Sequence, residues 1–391
     1  MEFAAWTYPW DILDEGPKTF AEHVTDFGVS EVNVATNYHS VQAFLPHNPS
    51  RRTFFAQASS YFQPDAGVEY GSLVPVPNET MGDRDWIDEI GSALTDMDLS
   101  LTSWTIGSHN SRLGMAHRDA TLTNAYGDDL VFGLCPSNPD VQQYLTGIVT
   151  DLDQRGYFER IELESFDYFF GSGFGWHHDK FHVELGTLGT FLFGLCFCDH
   201  CRERALSEGI DVDSARRTVT QTVDAIAAGS LPHDMDIAGW MTAHPEVERY
   251  VRVRTDTLLE LYDELADAAT STDLGCYIGF LDVEDAWMHG YDLERFAEPL
   301  DYYTVIAYES SRSAVMDRVR IARSLTDLPI HAGVLPGHPA VSDETTLESI
   351  IKGLDKAGVE RTAFYNYGLL PSQNLNWIKT ATSAVLSNES G

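Results

Sequence analysis

Apolar and polar positions along the chain follow two alternating periods. Short runs dense in β-branched and aromatic residues, bounded by turn residues, predict strands at Phe3–Tyr8, Glu31–Thr36, Leu99–Ile106, Arg160–Glu164, Leu274–Phe280, Tyr302–Tyr308, Ile330–Leu335 and Thr362–Tyr367. Between them, apolar residues recur every three or four positions. That spacing predicts helices at Trp86–Met97, Asp140–Gln154, Glu246–Ala269, Ala314–Leu325 and Thr345–Ala357. The last follows Ser342, with Thr345 and Glu348 as capping groups. About eight strand–helix units in one chain define the α/β class and predict a closed (β/α)8 TIM barrel. The alternative, an open doubly wound sheet, normally carries a glycine-rich phosphate turn after its first strand. None follows Tyr8.

Two insertions interrupt the alternation. Residues 37–84 contain hairpin-like runs at Thr53–Phe62 and Val68–Val76, and residues 165–245 contain an aromatic, histidine and cysteine cluster. Both follow strand ends, which form the catalytic face of a barrel. No repeat, low-complexity segment or linker divides the chain, so residues 1–391 read as one barrel domain.

Composition changes the picture in one respect. Sixty acidic residues stand against 25 basic ones, a formal charge of −35, and the excess is spread along the whole chain. With 12% aromatic residues and persistent apolar periodicity, this is a folded domain with a carboxylate-covered surface and not a disordered acidic tail. Such a surface repels itself unless salt screens it. Lysine occurs only at positions 18, 180, 352, 356 and 379, the other basic residues being arginine. Together these features predict a halophilic protein. The charge excludes a nucleic-acid partner, which requires a basic footprint. No apolar run approaches the ~20 residues of a membrane span. The opening Met1-Glu2-Phe3-Ala4-Ala5-Trp6 lacks the basic and apolar regions of a secretory signal, so a cytoplasmic location is expected, with no membrane partner.

Candidate chemistry begins with the cysteines. Cys196, Cys198 and Cys201 crowd six residues. In a reducing compartment, metal is the better reading than disulfides, free thiols or a redox pair. Zinc prefers four tetrahedral ligands. Cys135, at the end of the strand-like run Leu130–Leu134, is the natural fourth, and His200 is the alternative. Cys276 lies within a predicted strand and reads as a small buried residue. A closed four-thiolate site leaves no open position, so this zinc would be structural, with no organic cofactor expected.

The order Leu134-Cys135-Pro136-Ser137-Asn138-Pro139, a helix with Tyr144, a strand ending in Glu164, and then Cys196-x-Cys198-x-x-Cys201 resembles glycoside hydrolase family 42, the β-galactosidase-like TIM barrels. Over residues 100–205 the resemblance implies that Cys135, Cys196, Cys198 and Cys201 bind structural zinc and that Glu164 is the acid/base. It also implies a homo-oligomer. Two departures stand out. The family has Asn-Glu where this chain has Leu163-Glu164. The family's nucleophile is a glutamate ending strand seven, where this chain reads His331-Ala332-Gly333-Val334-Leu335-Pro336, with no carboxylate.

Glycosidic hydrolysis generally needs two carboxyl groups across the scissile bond. Alternation puts Glu162 and Glu164 on one side of their strand, with Glu164 nearer the opening. Glu309, after the sixth strand, is the first choice of partner, and Asp282, with Glu284 and Asp285 after the fifth, is the second. The predicted strand ends are rich in groups that stack on sugar rings or bond their hydroxyls. These are Tyr38, His39, His109 and Asn110, then Trp176, His177 and Trp287, then Tyr308, Tyr365 and Asn366. The expected activity is therefore glycoside hydrolysis on a carbohydrate substrate. Two alternatives stay open. One is a metal-dependent sugar isomerase, epimerase or lyase using these histidines with Asp282 or Glu309. The other is a carbohydrate-binding barrel that does no chemistry.

Overall fold

The computed structural model describes residues 1–95, 97, 99–168 and 180–389. Eight parallel strands close on themselves: β1 Glu2–Thr7, β2 Glu31–Tyr38, β3 Ser100–Ile106, β4 Arg160–Glu164, β5 Asp273–Ile278, β6 Tyr302–Ile306, β7 Ile330–Val334 and β8 Arg361–Phe364. Closure is made by β1, which pairs with β2 through Ala4 opposite Glu31 and with β8 through Glu2 opposite Arg361. Helices pack outside, and the molecule is a (β/α)8 TIM barrel.

The strand ends agree with the hydrophobic pattern to within three residues. The helices differ mainly at their caps. The helix Glu344–Lys356 starts from Asp343, whose carboxylate accepts a 2.9 Å bond from the Thr346 amide. Asp343, not Ser342 or Thr345, is therefore the cap, because its short side chain reaches the third amide of the helix.

The barrel's lower interior is polar. Arg361, fully buried, donates to Glu31 (2.8 Å), Glu162 (2.8 Å) and Asn33 (2.7 Å), while Arg160 donates to Glu31 at 3.0 Å. Two carboxylates thus meet two guanidiniums, and the buried charge is balanced. Burial alone would raise the Glu31 pKa, but the two arginines hold it below the usual range. Above this layer Trp6 donates to the Tyr277 hydroxyl at 2.6 Å, and Tyr277 donates in turn to Glu162. Room for the Trp6 indole comes from Gly333 on β7, where a Cβ would stand 2.7 Å from the ring.

The insertion at 37–84 holds one two-stranded hairpin, Val41–Phe44 against Thr53–Ala56. The expected hairpin run at 68–76 forms turns instead, and residues 59–60 add a short antiparallel edge to β2. After β3 a second hairpin, Thr121–Thr123 with Asp129–Leu134, leads into Cys135. Residues 180–245 supply four helices, Gly186–Gly194, Asp199–Ser207, Val212–Ala227 and Ile237–Ala243. No helix among the described residues is long and apolar enough to cross a membrane.

Candidate active site and four-cysteine cluster

Glu164 is the last residue of β4, and strand alternation turns its side chain to the barrel mouth. The backbone there is pinned to the turn after β3: the Gly107 amide donates to the Glu164 carbonyl at 3.0 Å, and Ser108 to Ser165 at 2.6 Å. Ser165 has φ 54°, so the chain leaves the strand through a left-handed residue without being glycine. The Glu164 carboxylate accepts a 2.6 Å bond from the Trp104 indole. Burial pushes its pKa up to about 7; the Trp104 bond opposes the shift, and the charges of Asp167 and Glu162 add to it. Near neutral pH this group therefore exists in both protonation states.

Around Glu164 lies a cavity of about 170 Å³. Trp6, Trp104 and Tyr277 line it together with Tyr38, Tyr308 and Tyr365. Phe280, Ile306 and His39 complete the lining. The rings meet at angles: Tyr38 stands edge-on to Trp104 (centroids 4.8 Å apart), and Tyr308 tilts against Tyr365 (5.3 Å). Tyr365 precedes Asn366 through a cis peptide bond.

The sequence candidates separate into groups. Tyr38, His39, Glu164, Tyr308 and Tyr365 share the cavity. Asn110 instead caps the helix Ser111–Ala116, accepting from the Leu113 amide at 3.0 Å, and His109 tilts against His39 with ring centroids 4.8 Å apart. Asn366 is fully buried beneath the mouth and accepts from the Gly368 amide. Trp287 packs on Phe191 and lines a different, open groove. Glu309 is held by Arg318 at 2.6 Å, and Asp282, largely exposed, lies 3.8 Å from the same guanidinium. Neither lines the cavity with Glu164. Trp176 and His177 lie outside the described residues.

The apolar lining residues Phe280 and Ile306 escaped the sequence reading, and so did Trp6, Trp104, Tyr277 and Asp167. Trp6, Trp104 and Tyr277 sit within apolar runs whose two faces look alike in sequence. Asp167 is buried three residues beyond Glu164 and pairs with His289 Nδ1 at 3.4 Å. It lines a small adjoining space that shares Tyr277 and Phe280 with the Glu164 cavity. The only signal for it was its place in the turn after β4. On β7, where the family resemblance implies a glutamate, the interior is filled by Trp6 against Gly333.

The four sulfur atoms of Cys135, Cys196, Cys198 and Cys201 lie within 4.8 Å of one another. Cys135 Sγ is 3.7, 3.6 and 3.5 Å from those of Cys196, Cys198 and Cys201. Bonds of ~2.3 Å to a tetrahedral ion put sulfurs about 3.8 Å apart, so the cluster fits such an ion. The same distances are too long for disulfides. Cys135, not His200, is the fourth member. The Thr123 and Cys198 amides point at Cys196 Sγ from 3.3 and 3.4 Å, a pattern suited to a thiolate. Among the described residues no other set of three such ligands converges. The cluster ties the hairpin after β3 to the start of the helix Asp199–Ser207. Through Ser137, 3.2 Å from Cys201 Sγ and 2.6 Å from the Tyr168 hydroxyl, it reaches the turn carrying Asp167.

No protein-family model and no curated protein sequence matches the chain. Solved structures do. The β-galactosidase of the psychrophilic Marinomonas ef1 superposes with a TM-score of 0.61 at 12% identity, covering 100% of this chain and 60% of that one. The α-L-fucosidase isoenzyme 2 of Paenibacillus thiaminolyticus gives 0.50 at 12% identity, covering 96% of this chain and 46% of that one. The chain thus spans less than two thirds of the length of these neighbours. At such identity the likeness is one of fold: this chain and these neighbours share the TIM barrel.

Proposed function

We propose that the protein is a glycoside hydrolase with Glu164 as its proton donor. The observation that carries this is a carboxyl group held at the barrel mouth, inside an aromatic cavity, with a pKa of about 7. A general acid works best when its pKa lies near the working pH. In its protonated form Glu164 would give its proton to the glycosidic oxygen as that bond breaks. The sugar then gathers positive charge at its anomeric carbon. Ring faces turned toward that carbon stabilise the charge more in the transition state than in the ground state, which is what speeds a reaction.

In this reading Asp167, oriented by His289, is the second carboxylate and receives the proton of the attacking water. Glu309 and Asp282, tied to Arg318, shape the rim. The four cysteines would hold a structural zinc ion, whose contribution is to fix the loops on either side of the mouth. The substrate is a carbohydrate, and the acidic surface suits a protein working in concentrated salt. Release of the aryl group from a panel of aryl α- and β-glycosides in about molar KCl tests the activity and identifies the anomer. Silence across the panel and across oligosaccharides would favour a barrel that binds sugar without turnover.

A further inference from the structure

Most polar atoms of the cavity walls are already bonded to neighbouring side chains, the Tyr308 hydroxyl excepted. Trp104 spends its N–H on Glu164, and Trp6 spends its own on Tyr277. Tyr277 donates to Glu162. The hydroxyls of Tyr38 and Tyr365 both meet that of Tyr8, at 3.1 and 3.3 Å. What faces the space is mostly ring surface and one carboxyl group. At the position where an amino sugar carries its amine, a neutral sugar brings a hydroxyl that needs partners, and these walls offer few.

A cation has different needs. It is attracted to ring faces and to negative potential, and it requires no free donors. Among the described residues neither lysine nor arginine lines the cavity. The buried Asp167 makes the local potential negative, and Glu164 adds to it in its ionised fraction.

We propose that the ring held in this cavity carries a protonated amine, so that the ligand class is an amino sugar with a free amino group and not a neutral or N-acylated sugar. The extension to an amino-sugar glycoside as substrate rests on the glycosidase reading; the binding preference does not.

Titration of the full chain, followed by tryptophan fluorescence at pH 6.5 and constant molar KCl, tests this. The probes are the methyl glycosides of glucosamine, N-acetylglucosamine and glucose, with the galactose and mannose counterparts. Tetramethylammonium against tert-butanol serves as a pair free of sugar stereochemistry. The amine forms are expected to bind at least about tenfold more tightly than their neutral counterparts. Tyr308→Leu, which removes a half-buried ring face, should erase most of that preference, while Tyr308→Phe should keep it. Equal or weaker binding of every charged probe overturns the inference. Glu164-dependent turnover confined to neutral glycosides overturns it too, yet leaves the hydrolase reading standing. Amine-selective binding with no turnover of any glycoside does the reverse.

Discussion

The indole nitrogen of Trp104 stands 2.6 Å from a carboxylate oxygen of Glu164, joining neighbouring strands at the mouth of the barrel. This bond favours the ionised carboxylate, while burial favours the neutral acid, and burial prevails. Replacing Trp104 with Phe keeps the ring and removes the donor. The Glu164 pKa should then rise further, and the alkaline limb of the pH–rate profile should move up with it. Loss of the fixed orientation should lower turnover about tenfold or more. An unmoved limb would mean that Glu164 is not the group the profile reports.

The same balance has a stability consequence. In the unfolded chain Glu164 titrates near 4.5, and in the folded protein near 7. Its stabilising contribution is full below pH 4.5 and is lost as pH rises through 7, because the folded state holds the proton that the unfolded chain releases. Glu164→Gln cannot titrate. Relative to wild type, the variant should gain about 1–3 kcal/mol between pH 4 and pH 8. Denaturant titrations at the two pH values measure it, and a pH-independent difference would contradict the assignment.

Arg361 answers two buried carboxylates, Glu31 and Glu162. Arg361→Met would leave both without their main counter-charge. Breaking such a buried set costs about 3–5 kcal/mol. A loss under 1 kcal/mol would show that water or protonation relieves the carboxylates instead.

The barrel was legible because each strand and helix carries its own period, and about eight repetitions allow few closed arrangements. The polar interior was not. Strands buried on both faces lose the alternation that tells inside from outside, so Trp6 and Trp104 read as ordinary core residues. Glu162 and Glu164 did show their shared face, since charged residues stand out in an apolar run. Glu309 illustrates the opposite problem. Its place after β6 is visible in sequence, whereas its capture by Arg318, nine residues along the chain, depends on how the following helix turns back. Three members of the cysteine cluster were legible from spacing, because a tight turn before a helix brings such thiols together, whereas the choice of Cys135 over His200 as the fourth rests on how the hairpin after β3 folds back.

Removing metal should loosen the mouth. The protein purified without chelator should carry about one zinc ion per chain. Cys201→Ser, or a strong chelator, should lower the melting temperature and speed proteolysis between residues 121 and 207. An unchanged melting temperature after complete removal would contradict a bracing role.

The most direct measurement compares wild type with Glu164→Gln on the aryl glycoside that wild type turns over, using both good and poor leaving groups. The account predicts a loss of about 10²–10⁴ for the poor leaving group, which needs the proton, and a much smaller loss for the good one. Equal rates for the two proteins on the poor leaving group would contradict it.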